Sequence, residues 1–314
     1  MSKILRKKIL SILFGFIFTA VFLSGCGSVQ SKDSSSKVTG NSVYPLTITD
    51  TYKRKVTIDK KPTTIVSLAP NITEIVYALN ASDRLKGRTD YCDYPKSVSS
   101  VPSVGNITDP SVEKIVELKP DVVIASNLTK KDIIDKLEKL NIKVVALHGS
   151  EDLEGAYDTI EKVGQILDEN NNANKIVSDM KNKVDNIENK VKAAKKPKVY
   201  YVVSYGQYGD YTGGKGTYVD KMILAAGGNN IAEDAEGWKY SLEKVVEHDP
   251  EIIVCSKYFD TKAGLINANG YRDLSAVKSG KVFEIDNNLL DRQGPRMADG
   301  LEALAKIIHP ELFK

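Results

Sequence analysis

The chain has 314 residues, with 44 Lys and Arg against 41 Asp and Glu and a formal charge of +3. So even a balance excludes binding dominated by nucleic-acid phosphates, which needs a concentrated basic face. A composition of 41% hydrophobic and 27% charged residues excludes disorder for the bulk of the chain, and the widely spaced Cys26, Cys92 and Cys255 offer no zinc, redox or disulfide framework.

Residues 1–25 have the pattern of an export signal. Lys3, Arg6, Lys7 and Lys8 precede an apolar run from Ile9 to Leu23, shorter than the roughly 20 residues that span a bilayer comfortably. The string Leu23-Ser-Gly-Cys26 resembles a bacterial lipobox, which implies cleavage before Cys26 and acylation, palmitate included, of its thiol. Several acyl chains, at about 0.8 kcal/mol per buried methylene, hold a protein firmly to a membrane. The polar stretch 26–41 carries Ser, Lys and Gly without apolar periodicity and is expected to be a flexible tether.

From residue 42 onward, short β-branched runs alternate with helical segments, the pattern of an α/β protein with mostly parallel sheets. Strands are predicted at Thr64–Leu68, Val122–Ala125, Val144–Leu147, Val199–Val203, Ile252–Cys255 and Val282–Ile285. The first three belong to an N-terminal lobe (42–152), the last three to a C-terminal lobe (197–314). Between them, 153–196 is helical in pattern, and Asn170, Asn171 and Asn172 divide it, so that one long helix joins the lobes.

An internal repeat relates the lobes. SVEKIVELKPDVVIAS (111–126) aligns without a gap to SLEKVVEHDPEIIVCS (241–256). Each copy has the form of a helix, a proline turn and a buried strand. Two related α/β lobes joined by a helix leave a cleft between them, a favoured place for a small ligand.

Catalytic motifs are missing: there is no His-Glu-x-x-His, Gly-x-Ser-x-Gly or Gly-x-Gly-x-x-Gly. In Gly209–Thr217, Gly216 stands where a phosphate loop needs Ser or Thr, so the segment is assigned to a turn. His148, His248 and His309 are scattered and are assigned to surface or helix-end positions, not to a metal. Cys92 is the one candidate nucleophile for an enzymatic alternative. Tyrosine is abundant, 15 against 7 Phe and one Trp. Tyr91, Tyr205, Tyr240 and the nearby Trp238 lie where strands give way to loops, and such rings suit a large planar ligand with polar edges.

These stretches carry a resemblance to a family. Ile65-Val-Ser-Leu-Ala-Pro-Asn-Ile-Thr-Glu74, Tyr91-Cys-Asp-Tyr-Pro95, Val112–Asp121, Ser241-Leu-Glu243 and Asp291-Arg-Gln-Gly-Pro-Arg296 resemble the substrate-binding lipoproteins of ABC importers whose two lobes are joined by a rigid helix, which deliver vitamin B12, haem or ferric siderophores. Vitamin B12-binding members are the most similar. The resemblance implies a non-enzymatic, monomeric receptor on the outer face of the cytoplasmic membrane, with small lobe movements, no catalytic residue and no resident metal. Its partners are a permease dimer with ATPase subunits. It implies ligand contacts at Tyr91, Tyr205, Trp238, Tyr240 and Arg292. Ile107 and Ser126 stand where vitamin B12-binding members carry cleft tryptophans, and Asn288 replaces an acidic contact. Glu113 and Glu243, equivalent in the repeat, match the pair that docks onto permease arginines, one from each lobe. Cobalamin is the expected ligand, with haem and ferric siderophores as alternatives. Haem needs an axial side chain, and motif matching places no His or Met in the cleft, although a Tyr could serve. Anionic siderophores need basic groups, Arg292 first and then Arg296.

Cleavage after residue 25 removes four basic and no acidic side chains, turning +3 into −1. The slight basicity belongs to the export signal and not to the ligand-binding body.

Overall fold

The computed structural model describes residues 44–314; the export signal, Cys26 and the tether lie outside the described residues. An antiparallel ribbon of β1 (Leu46–Thr49) and β2 (Lys55–Ile58) comes first. The first lobe follows as β3 (Ile65–Ser67), α1 (Pro70–Ala78), β4 (Leu85–Arg88), α2 (Val112–Glu117), β5 (Val122–Ala125), α3 (Lys131–Lys139) and β6 (Val144–Ala146). Its strands are all parallel, in the order β4-β3-β5-β6. Every residue of β3, β5 and β6 is buried. A parallel sheet covered on both faces requires this, and it is why those strands are continuous apolar runs without alternation.

Two helices then cross to the second lobe, α4 (Leu153–Leu167) and α5 (Asn170–Val191). The break falls just ahead of the asparagines, because Asp168 takes the left-handed conformation (φ 56°) that closes α4, one that Asp and Asn tolerate better than most residues. The 22 residues of α5 span about 33 Å. Val177, Met180, Val184, Ile187 and Val191 form its buried stripe.

The second lobe comprises β7 (Lys198–Val202), α6 (Tyr218–Ala225), β8 (Asn229–Asn230), α7 (Leu242–His248), β9 (Ile252–Ser256), α8 (Thr261–Leu265), α9 (Ser275–Lys278), β10 (Val282–Ile285), α10 (Asn288–Asp291) and α11 (Met297–Ile308). Its parallel sheet has the order β10-β9-β7-β8. Counted within each lobe, both sheets run second, first, third, fourth, so the lobes share one topology. The sequence repeat supplies the same piece to each: the helix before the third strand and that strand itself. Ser111 and Ser241 cap α2 and α7 alike, accepting from the backbone N–H of Lys114 and Lys244.

One apolar core runs from the first lobe through α4, α5 and α11 into β7 and β9. A shared hydrophobic core of this kind restrains relative motion of the lobes.

Candidate functional site

Open α/β sheets bind ligands outside the carboxyl ends of their strands, and here the residues that leave those ends converge. Ala69, Pro70 and Asn71 follow β3, Ser126 and Leu128 follow β5, and His148 follows β6; together with Tyr218, Asp291 and Arg292 of the second lobe they line a cavity of about 290 Å³. Ile107 and Glu151 complete the wall. The surface is mixed: apolar at Ile107 and Leu128, acidic at Glu151 and Asp291.

Polar contacts tie the lobes together at the edge of this cavity. Arg292 donates to Asp93 at 2.6 Å and to Glu74 at 3.0 Å, and also reaches the carbonyl of Tyr91 at 3.4 Å. Arg296 makes a two-pronged bond to Glu74, at 2.8 and 2.7 Å, and lies 3.8 Å over the ring of Tyr94. Glu74, on α1, is buried with two guanidinium groups from the other lobe. Nearby, the Gln293 amide donates to the carbonyl of Ser150, and Asn71 donates to the carbonyl of Gln293.

Tyr218 donates to Asp291 at 2.9 Å. The protein packed around Asp291 raises its carboxyl above the usual range, although the side chain stays open to the cleft and hydrogen bonds from Asn287 and Tyr218 pull the other way. Burial, then the charge of Asp291, pushes the Tyr218 phenol far up. The pair therefore presents a neutral phenol and a carboxylate short of solvation.

The sequence-predicted ligand contacts separate into three groups. Arg292 lines the cavity, but its guanidinium is already matched by Glu74 and Asp93. Tyr91, 55% exposed, lies at the mouth beside Arg292, and Trp238 packs against Tyr218 with ring centroids 5.4 Å apart, one layer behind the wall. Tyr205 stacks edge-on with Tyr271 at 5.9 Å and sets its hydroxyl against Gly264 of α8. Tyr240 is a correction: it is buried in the core of the second lobe, its hydroxyl shared among the Ile231 carbonyl, Asp234 and His248. A phenol so engaged is unavailable to a ligand.

Ile107 and Ser126 both line the cavity. Asn288 donates to the Tyr258 hydroxyl instead. Tyr218, Asp291, Glu151 and His148 are cavity residues that sequence reasoning passed over. His148 is half-buried at the cavity wall, and His309 stands at the end of α11 as expected, buried and bonded to the Gly227 carbonyl at 3.0 Å. Cys92 is 2% exposed and its thiol faces the hydroxyls of Thr73 and Thr89. The Gly209–Thr217 segment, expected as a turn, is an extended loop bridged from Tyr211 to Ser204 and Lys239 and from Lys215 to Glu236, with a turn only at Gly216.

Glu113 and Glu243 occupy the first turns of α2 and α7, both exposed. Among the described residues neither enters a salt bridge. The Glu243 carboxyl is held below its ordinary value by its own backbone N–H and the Ser241 hydroxyl, so it is fully charged at neutral pH.

Residues 65–289 match the periplasmic binding protein family. The chain is similar to an uncharacterized ABC transporter substrate-binding lipoprotein, YvrC, of Bacillus subtilis (strain 168), at 34% identity over 98% of this chain and 99% of the relative. It is similar to a cobalamin-binding protein of Halobacterium salinarum (strain ATCC 29341 / DSM 671 / R1) at 26% identity, covering 85% of this chain and 74% of that one. Among solved structures, a periplasmic haem-binding protein from Pseudomonas aeruginosa superposes with a TM-score of 0.72 at 27% identity, over 79% of this chain and 93% of that chain.

Proposed function

The chain belongs to the periplasmic binding protein family, and on that premise we propose that it is the monomeric substrate-binding lipoprotein of an ABC importer, anchored outside the cytoplasmic membrane through Cys26, which captures a corrinoid such as cobalamin and delivers it to the permease dimer and its ATPase subunits. The lipoprotein and importer assignment follows the Bacillus subtilis relative, and the ligand follows the Halobacterium cobalamin-binding protein.

The observation that carries the ligand class is the charge of the cleft. The Arg292 guanidinium is neutralised by Glu74 and Asp93, while Glu151 and Asp291 leave the wall acidic. Such a wall disfavours an anionic ferric siderophore and suits an amide-rich macrocycle that is neutral or cationic. The cavity of about 290 Å³ falls just short of the range of ligand pockets, about 300–1,000 Å³, so a macrocycle enters only when the Arg292–Asp93 and Gln293–Ser150 contacts part. Haem is the second reading, favoured by the Pseudomonas aeruginosa neighbour.

Transport docking is assigned to Glu113 and Glu243. They are exposed, lack salt-bridge partners among the described residues and stand at equivalent places in two lobes of one topology, as a two-fold partner requires.

The single tryptophan, Trp238, sits behind Tyr218 and reports on the cleft. Saturable quenching of its fluorescence by cobalamin supports the proposal. A response to haemin or a ferric siderophore with none to cobalamin overturns it.

A further inference from the structure

We propose that the basic patch at the carboxyl end of α5 is a docking surface for an anionic phospholipid bilayer, on which the protein rests when it is not engaged with the permease. The inference rests on the reading of Cys26 as a membrane anchor and adds to it the face that the folded body turns to the lipid.

The patch begins in the sequence. Residues 190–198, KVKAAKKPK, hold five lysines, and no acidic residue occurs from 189 to 209. All five lysines are exposed. A cation in the last turn of a helix complements the helix dipole, which accounts for Lys190, but that effect fades at the helix end. Lys195, Lys196 and Lys198 lie past it. General solubility does not account for them either, because the chain without residues 1–25 has a charge of −1 and this segment runs against it.

The fold concentrates this charge on one edge of the second lobe. Lys198 opens β7 and its Nζ donates to the His248 carbonyl at 2.9 Å, while Lys195 pairs with Glu251, the residue before β9, at 3.2 Å. The patch therefore lies at the amino ends of the strands, the opposite edge from the cavity. Beside it, a groove of about 550 Å³ is lined by Lys192, Lys196 and Lys221, by the apolar Leu224 and Ala225, and by one carboxylate, Glu188. Leu224 is 44% exposed. Lys221 is held by Asp152 at 2.9 Å, but Lys192 and Lys196 have no hydrogen-bond, ionic or ring partner among the described residues.

Unpaired lysines beside an exposed leucine match the layers of an anionic bilayer, the ammonium groups meeting lipid phosphates and the leucine the acyl boundary. The other edge is acidic: Glu151 and Asp291 line the cavity. α7 ends at the patch, where Lys198 holds His248, so Glu243 in its first turn stands at the far end of that helix. An anionic surface attracts the lysine edge and repels the carboxylate edge, which leaves the cleft side of the second lobe turned to solvent. Attachment through Cys26 holds the body beside the bilayer, so a patch of modest affinity is sufficient.

The test uses the chain from residue 42 on, which holds both sheets and the shared core and lacks the anchor. Flotation measures its partition onto vesicles of equal parts phosphatidylglycerol and phosphatidylcholine, and onto vesicles of phosphatidylcholine alone. The expected result is binding to the anionic vesicles only, lost as salt rises to about 1 M, where the screening length is about 3 Å. Lys192→Glu combined with Lys196→Glu weakens that binding roughly tenfold or more. Lys55→Glu combined with Lys139→Glu, the same charge change on β2 and α3, leaves it unchanged. Equal partition of the two double variants, or equal binding to neutral vesicles, overturns the patch. A wild type that ignores the anionic vesicles overturns it as well, and its retention by soluble polyphosphate then assigns the lysines to a polyanion. Palmitate labelling of the full chain, lost in Cys26→Ala, tests the anchor separately, so that failure of either reading is seen by itself.

Discussion

Arg292 of the second lobe and Asp93 of the first meet at 2.6 Å across the mouth of the cavity, and the same guanidinium reaches the buried Glu74 behind it. Asp93 is mostly exposed, whereas Glu74 is 3% exposed and carries two arginines. The two carboxylates have different consequences when removed. Asp93→Asn weakens the rim contact at a stability cost of about 0–1 kcal/mol and accelerates ligand entry, read by stopped-flow quenching of Trp238. Glu74→Gln strands two poorly solvated guanidinium groups and costs about 3 kcal/mol, read as a lowered midpoint in urea.

Docking and capture are separable. Glu113→Ala combined with Glu243→Ala leaves ligand affinity unchanged and abolishes uptake in cells that depend on this chain. Normal uptake by the double variant removes the docking assignment. The caps supply the control: Ser111→Ala costs about 1 kcal/mol of stability with uptake retained.

Tyr240 belongs to the core. Its hydroxyl serves the Ile231 carbonyl and His248, so Tyr240→Phe lowers stability by about 1–3 kcal/mol, the cost of stranding buried polar partners. Ligand affinity stays at the wild-type value in a calorimetric titration.

Acid sensitivity has a local source where α11 meets α5. Hydrogen bonds from Lys183 and then Lys306 pull the Glu302 carboxyl down to about 2 from 4.5. A carboxyl depressed in the fold stabilises above its unfolded value, and that stability is lost as pH falls from 4.5 toward 2. Glu302 is 30% exposed, so screening leaves about 1 kcal/mol of this at neutral pH. Glu302→Gln flattens the acid limb of a stability–pH curve in that window; an unchanged slope there contradicts the assignment.

Much of the fold was legible because buried parallel strands are continuous apolar runs: β3, β5, β6, β7, β9 and β10 all stand near their predicted positions. β4 and β8 were not legible. Leu85–Arg88 carries Lys and Arg on a strand only half covered, and β8 is two asparagines, one of them, Asn230, buried through bonds to Gly213 and Asp220. The repeat foretold the shared topology, since it spans a helix and strand that recur at the same place. The site was harder to see. Tyr240 shares the aromatic signal of a cleft residue, and only the burial of its hydroxyl separates it. His148 and Asp291 follow strands whose ends converge, and sequence distance hides that convergence. A single cue was available: both come within a few residues after the last strand of their sheets.

Calorimetric titration of the full chain and its Asn71→Trp variant with cyanocobalamin tests the central claim, since an indole at Asn71, which faces Gln293 of the second lobe, fills the cavity between the lobes. The account predicts saturable one-to-one binding by the wild type and at least a tenfold loss, about 1.4 kcal/mol, in the variant. No binding by the wild type, or equal binding by both proteins, contradicts it.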